Sequence, residues 1–162
     1  MRKFQILLLV SMVLAASTQV GAQGRSPLLD NVVRSVKQHQ PAWQFIPGVC
    51  TCPLLVPSQI SYAMGGWHLG DITSKRRVTI YISYLPSVQD AAKWMAGLSQ
   101  QDVVEGWRRE KYMLGDESYL WSADDGYSYL YFRQGSLAVE LSGNVEDVTL
   151  FAEYAEEQMP AG

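Results

Sequence analysis

Residues 127–142 read YSYLYFRQGSLAVELS, and this stretch decides the fold. Two alternating apolar and polar runs, Tyr127–Arg133 and Ser136–Ser142, flank Gln134-Gly135, which is typical of a β-hairpin with a two-residue turn. This turn pairs Arg133 with Ser136 and so sets the register. The pairs on one face are then Phe132 with Leu137, Leu130 with Val139, and Ser128 with Leu141. We expect this apolar face to lie against the core.

A third strand is predicted at Tyr112–Trp121, joined to the hairpin by a loop at 122–126. This loop places Trp121 opposite Tyr127 and Tyr119 opposite Tyr129. The reverse face of the meander then carries five aromatic side chains: Tyr119, Trp121, Tyr127, Tyr129 and Tyr131. Each can bury about 150–250 Å². Because monomers rarely expose so large an apolar patch, another group must cover this face.

Three occupants suit the aromatic face. The first is the chain itself, which we expect to cover the face with Trp43, Phe45, Trp67 or the helix at 27–39. The second is a small amphipathic ligand or an unknown protein partner, which Tyr and Trp rings can stack against. The residues that would orient it at the rim are Arg133, Glu117 and Glu140. The third is a second copy of the chain, which would make a homodimer.

The remaining periodicity predicts three helices. Ser26-Pro27 begins the first, Ser87 with Asp90 caps the second, and Asn144 with Asp147 begins the last. Residues 42–69 are extended and irregular in pattern, and Arg77–Leu85 alternates as a strand should. The predicted class is α+β, an antiparallel sheet with helices packed on one face in the order α-β-β-β-α-β-β-β-α.

The first 22 residues are typical of a secretory signal peptide. Arg2 and Lys3 precede an apolar run over 4–16, and Val20-Gly21-Ala22 offers a leader-peptidase site. We predict cleavage after Ala22 and a single domain at 23–162, whose core spans 77–158. The apolar run is shorter than the roughly 20 residues of a membrane helix, so no stable membrane anchor is expected after cleavage. The mature protein is therefore predicted to be exported, to the periplasm or the extracellular space.

Charge argues against two classes of partner. The leader carries two of the 13 basic residues and none of the 16 acidic ones, so the mature chain has a net charge of −5. Lys75-Arg76-Arg77 is the single basic cluster, and it stands where a solvated strand end is expected. Nucleic acid and an anionic membrane surface are therefore not expected partners.

Several of these elements together resemble a known group of proteins. Gly115-Asp116-Glu117-Ser118-Tyr119 is followed by Phe132-Arg133-Gln134-Gly135, a strand with Val139 and a final amphipathic helix. This pattern over 77–158 resembles small secreted α+β domains of unknown function, among them lipoproteins and extracellular sensor-like domains of bacterial receptor kinases. The resemblance implies a fold and a location outside the cytoplasm, and it implies no reaction.

Cys50-Thr51-Cys52 is the most distinctive short motif. In an oxidising compartment the two thiols favour a structural disulfide, although an extended backbone would hold their Cα atoms near the limit of about 6.8 Å for a bridge. An intermolecular or redox-active pair is the second interpretation. The third is a soft-metal site with His68, for which Met64 and His39 are further ligand candidates.

The sequence contains no recognisable catalytic motif. There is no Gly-x-Ser-x-Gly elbow, no His-Glu-x-x-His pair and no phosphate-binding glycine loop, so no catalytic residue and no cofactor are predicted. We therefore expect an exported, non-catalytic binding or sensor-like domain that uses the aromatic face. The alternative is a thiol-redox or metal-handling protein centred on Cys50 and Cys52.

Overall fold

The described part of the chain forms seven strands and three helices. The computed structural model describes residues 26–48, 56, 58–71 and 73–160. The strands are β1 (Trp43–Pro47), β2 (Ser61–Leu69), β3 (Arg77–Tyr84), β4 (Trp107–Tyr112), β5 (Glu117–Ala123), β6 (Tyr127–Gln134) and β7 (Leu137–Asn144), and the helices are α1 (Pro27–His39), α2 (Val88–Gln100) and α3 (Val145–Glu157). The predicted leader at 1–22 and both cysteines, Cys50 and Cys52, lie outside the described residues. Within those residues, no helix combines the length and the apolar character that crossing a membrane requires.

All seven strands join one antiparallel sheet in the order β1-β2-β3-β7-β6-β5-β4. Two meanders, β1 to β3 and β4 to β7, are connected by α2, and β7 returns to pair with β3. The α+β class and the predicted order of elements are confirmed, with one additional strand. Part of the segment 42–69 is regular, because β1 pairs with β2 along its whole length.

The additional strand is β4. The predicted strand Tyr112–Trp121 is interrupted by a turn in which Gly115 adopts φ +57°. Ser118 closes this turn, since its Oγ accepts a hydrogen bond from the Leu114 amide at 3.1 Å and donates one to the Tyr112 carbonyl at 2.7 Å. The sequence of β4, WRREKY, contains four charged residues and lacks the apolar alternation that identifies a strand.

The hairpin at 127–144 forms one residue later than predicted. Gln134 pairs with Leu137, so the turn residues are Gly135 and Ser136, and Tyr131 lies opposite Glu140. The β5–β6 pairing is shifted in the same way, with Trp121 opposite Tyr129. In both cases the shift changes the partner by two positions. Since side chains alternate with a period of two, the predicted faces are correct although the register was wrong.

The helices lie on both sides of the sheet, which corrects the prediction of one covered face. Helices α1 and α3 cover the face that carries Leu130, Phe132 and Val139, and together they form the main core. Helix α2 covers the opposite face, where Met95 and Leu98 pack against Tyr131. The physical reason is that β5 and β6 carry apolar or aromatic side chains on both faces, and both sets require burial.

Each helix begins as the sequence predicts. The side chains of Ser26, Ser87 and Asn144 accept hydrogen bonds from backbone amides of their first turns, at 3.2, 3.1 and 3.2 Å. Helix α3 is further attached to the β2–β3 connection through Arg76, whose Nε donates to the buried Asp147 carboxylate at 3.1 Å. Arg76 also lies over the Trp43 ring, so this exposed residue before β3 has partners within the fold.

Candidate functional site

The face covered by α2 brings all seven predicted ligand-binding residues together. The register places them on one side of β5, β6 and β7: Tyr119, Trp121, Tyr127, Tyr129, Tyr131, Arg133 and Glu140. Tyr131 and Glu140 are buried, at 6% and 4% exposure, and the other five are partly buried. The prediction that these seven side chains share one region of the sheet is therefore correct.

Helix α2 covers one end of this cluster. Its apolar side contributes Trp94, Met95 and Leu98, and the Trp94 ring packs edge-on against Tyr131 with centroids 5.9 Å apart. The cover expected from the sequence was wrong. Trp43, Phe45, Trp67 and α1 belong to the main core on the opposite face of the sheet. In β1 and β2 these three aromatic residues point to the main core, and the residues between them point to the face that α2 covers.

Beside α2 the aromatic rings form a strip, which we define as Trp107, Trp121, Tyr127 and Tyr129. Trp121 joins the strip through Tyr131, whose ring lies 6.5 Å from Trp121 and 6.1 Å from Tyr129. Tyr129 is central: Trp107 stacks on it with centroids 5.6 Å apart, and Tyr127 packs edge-on at 5.4 Å. Arg109 lies over the Trp121 ring at 5.4 Å, a cation–π distance. Sequence reasoning missed Trp107 because β4 was not recognised. The available signal was the two-residue spacing of Trp107 and Arg109, which places both side chains on one face of a strand.

The polar residues predicted for the rim have internal partners. Arg133 is bound to Asp116 at 3.0 Å and to Glu117 at 3.3 Å, and its side chain is only 16% exposed. Glu140 lies opposite Tyr131 on the neighbouring strand. Burial, and secondarily the Glu140 charge, raise the pKa of Tyr131, so its phenol stays protonated at neutral pH. These groups stabilise the sheet, and they do not form an open rim.

A cleft of about 400 Å³ opens beside Tyr127 at the end of the strip. Its origin is a change of side-chain size across the sheet. In the row that crosses β6, β7 and β3, Tyr129 is followed by the short side chains of Ser142 and Thr79, which are buried and lie 2.6 Å apart through their hydroxyls. The residues lining the cleft are Lys75, Arg77, Thr79, Asp125, Gly126, Tyr127, Ser142, Gly143 and Asn144.

His68 occupies the same face on β2. It is 6% exposed, and its Nδ1 is buried without a hydrogen-bond partner. Among the described ranges, no three His, Cys, Asp or Glu side chains lie close enough together to hold a metal ion. The proposed partners of His68, Cys50 and Cys52, are outside those ranges.

The strip and the cleft together offer flat apolar rings beside hydroxyl, amide and charged groups. Such a surface can stack against a planar or ring-shaped ligand and hydrogen-bond to its polar substituents. Comparison of the chain with protein-family models, curated proteins and solved structures gave no match in any of the three.

Proposed function

We propose that this protein is an exported, non-catalytic domain that binds a small amphipathic ligand on the aromatic strip and in the adjoining cleft. The observation that carries the proposal is the position of Tyr127. Its ring lines the cleft and also contacts Tyr129 at 5.4 Å, so one ligand could span the apolar strip and the polar cleft.

The size of the cleft supports a small ligand. Binding pockets for such molecules typically measure about 300–1,000 Å³ and combine apolar walls with a few placed polar groups. This cleft has about 400 Å³, with the Tyr127 ring as its apolar wall and the hydroxyls of Thr79 and Ser142 among its polar groups. Sensor-like and transport domains outside the cytoplasm could use such a site without any reaction.

Two simple probes test the proposal: phenyl β-D-glucoside, which is neutral, and phenyl sulfate, which is anionic. At about 0.3 kcal/mol per non-hydrogen atom, phenyl sulfate, with about 11 such atoms, should bind with a Kd of about 4 mM, and the glucoside, with about 18, with a Kd of about 0.1 mM. We expect titration of the 23–162 protein to shift the indole N–H signals of Trp107 and Trp121 in ¹H–¹⁵N NMR spectra. The indole signals of Trp43 and Trp67, which lie in the opposite core, should not move.

The matched variants are Tyr127→Ala and Tyr62→Ala. Removing Tyr127 takes away one stacking surface, and we expect the Kd of the bound probe to rise about threefold to tenfold. Tyr62 is a partly buried tyrosine on the same face that stacks on Tyr81, and it lies about 13 Å from the nearest cleft residue, Thr79, at about 3.3 Å per residue along the strands. Its removal should leave the Kd unchanged. Absence of any Trp107 or Trp121 shift with both probes would contradict the proposed function.

A second candidate function is thiol-redox or metal handling by Cys50 and Cys52 with His68. One observation favours it: the buried Nδ1 of His68 has no hydrogen-bond partner, and a neutral imidazole nitrogen in that state is a suitable ligand for a soft metal. A histidine packed in a sheet for structural reasons would normally satisfy this atom.

Native mass spectrometry of the exported protein, purified without reductant or chelator, separates these functions. If metal handling is the function, we expect one bound copper or zinc ion that is lost in a Cys50→Ser/Cys52→Ser variant and in His68→Asn. Asn keeps a polar side chain of similar size but loses the imidazole ligand. The structure places His39, the other histidine named as a ligand candidate, on α1, where it stacks on Tyr154 on the opposite side of the sheet from His68. His39→Asn is therefore the matched control and should leave the metal bound. A mass two hydrogens light, with no metal, would contradict metal handling and indicate a disulfide.

A further inference from the structure

Strand β4 forms one edge of the sheet, and among the described residues it pairs only with β5. We propose that the outer side of β4 binds the β4 strand of a second copy of this chain, so that two copies share one continuous antiparallel sheet. In this mode of recognition, backbone hydrogen bonds give affinity and side chains give specificity. The cleft lies on β3, β6 and β7, so it stays open in such a dimer.

The backbone groups that β4 offers to a second strand belong to alternate residues. The Asp124 amide donates to the Gly106 carbonyl at 3.2 Å, which fixes the pattern of hydrogen bonds between β4 and β5. Because bonded and non-bonded pairs alternate in an antiparallel ladder, the amides and carbonyls of Arg109 and Lys111 point away from β5. A second strand can therefore bond to both residues without disturbing β5.

The charges of β4 are complementary to themselves in one register. Two strands related by a two-fold axis pair symmetrically about a central residue. Centring the pair on Arg109 places Arg108 of each copy opposite Glu110 of the other, which gives two attractive pairs. Centring it on Glu110 opposes Glu110 to itself and Arg109 to Lys111, and centring it on Arg108 opposes Arg108 to itself. Charges of one sign would repel a second copy in all three registers.

The favoured register brings two Arg109 residues together, but each guanidinium group is held elsewhere. It lies 5.4 Å from the centre of the Trp121 ring, above β5 and away from the open edge. Its Nη1 also donates to the Leu98 and Gln101 carbonyls at the end of α2, at 3.1 and 2.8 Å. These contacts separate the two like charges at the centre of the interface.

The other cations of β4 can reach the second copy. Arg108 pairs with Asp124 at 3.1 Å, but both side chains are largely exposed, so this ion pair contributes little and Arg108 can also bind the opposing Glu110. Lys111, which is exposed, lies opposite Trp107 of the second copy in the same register. An ammonium group over an indole ring is a favourable contact.

Exposed apolar side chains flank β4 at both ends. Among the described residues, the exposed large apolar side chains include Val103 and Val104 before the strand and Met113 after it, and Met113 is 95% exposed. The register centred on Arg109 places Met113 of one copy opposite Glu105 of the other and next to Val104. Pairing therefore brings these apolar groups together at each end of the interface. This second observation favours the register that the charges select.

Sedimentation velocity of the exported protein tests the proposal. A single strand pair buries less area than a permanent interface, so we expect a weak dimer with a Kd between about 5 and 500 µM. Arg108→Glu and Glu110→Arg each convert both attractive pairs into like-charge pairs, and each should raise the Kd by about tenfold or more. An equimolar mixture of the two variants should dimerise again, because acidic residues then oppose basic ones in both pairs. Both variants keep a net negative charge, so overall attraction cannot explain this recovery.

Arg34→Glu and Glu153→Arg are the matched controls, since they make the same charge changes at exposed positions on α1 and α3. Each should dimerise as the parent protein does. A protein that stays monomeric up to about 500 µM would overturn the proposal. It would also be overturned by a dimer that resists Arg108→Glu and Glu110→Arg, by variants whose mixture does not recover, or by equal losses in the controls.

Amide hydrogen exchange, measured by NMR on the unmodified sequence, tests the same surface without a substitution. Exchange of the Arg109 and Lys111 amides should slow as the protein concentration rises, because these groups become bonded to the second copy. The amides of Arg108 and Glu110 face β5 and should be protected at every concentration. Concentration-independent exchange of Arg109 and Lys111 would show that any dimer uses another surface and would overturn the proposal.

Discussion

Replacing Phe151 by alanine is expected to lower the free energy of unfolding by about 3–5 kcal/mol, the range for removing a fully buried phenylalanine. Phe151 lies on α3 with 0% exposure, and its ring packs edge-on against Trp43 at 5.0 Å and Trp67 at 5.1 Å. These contacts join α3 to β1 and β2, so the cavity would form where three elements meet. Urea denaturation followed by tryptophan fluorescence measures the change.

Glu153→Ala is the control for this substitution. Glu153 is an exposed residue on the same helix, and its replacement should change the free energy of unfolding by no more than about 0.5 kcal/mol. A loss below about 1 kcal/mol for Phe151→Ala would contradict the position of α3 in the main core, since removing the side chain of a fully buried phenylalanine lowers the free energy of unfolding by more than that.

The two faces of the sheet could be predicted from the sequence because alternation in a strand is a local property. Tyr129 and Leu130 fall on opposite sides whichever partner each of them pairs with. The register depends instead on which residues form the turn. Gln134-Gly135 and Gly135-Ser136 both offer glycine, and the structure uses the second pair, with Gly135 at φ +57°.

The side on which α2 packs could not be predicted from periodicity alone. An apolar stripe containing Trp94, Met95 and Leu98 requires burial but does not specify a partner surface. The aromatic face of β5 and β6 was itself an apolar surface that required cover, and the helix that precedes these strands supplies part of it. Pairing the apolar stripe of α2 with the aromatic face of β5 and β6 would have identified the side of the sheet on which α2 packs.

The candidate site could be predicted only in part, because only some of its residues stand in a recognisable strand pattern. Tyr127 and Tyr129 are conspicuous in a strand pattern, whereas Trp107 stands in a charged run that does not resemble a strand. The cleft exists because two neighbouring side chains in the sheet, Ser142 and Thr79, are short. Ser142 and Thr79 come from strands that are 63 residues apart in the chain, and only their adjacency in the folded sheet creates the space.

Gly115→Ala should destabilise the protein nearly as much as Phe151→Ala, although it removes no contact. At φ +57° an alanine costs about 1–2 kcal/mol relative to glycine. A Cβ at this position would also lie within 2.4 Å of the Arg133 carbonyl oxygen, which accepts the Asp116 amide at 2.9 Å. Displacing that carbonyl should cost a further 1–3 kcal/mol or so, the usual range for an unsatisfied buried group. Together these effects predict a loss of about 2–5 kcal/mol in urea denaturation.

Gly135→Ala separates the two contributions to this loss. Gly135 has the same φ of +57°, but a Cβ there would meet no atom within 4 Å. This variant should therefore lose only the conformational part, about 1–2 kcal/mol. The difference between the two variants measures the overlap with the Arg133 carbonyl. Equal losses would mean that the turn at 113–116 does not pack against the end of β6, and the ion pair that Arg133 forms with Asp116 would then lack its structural support.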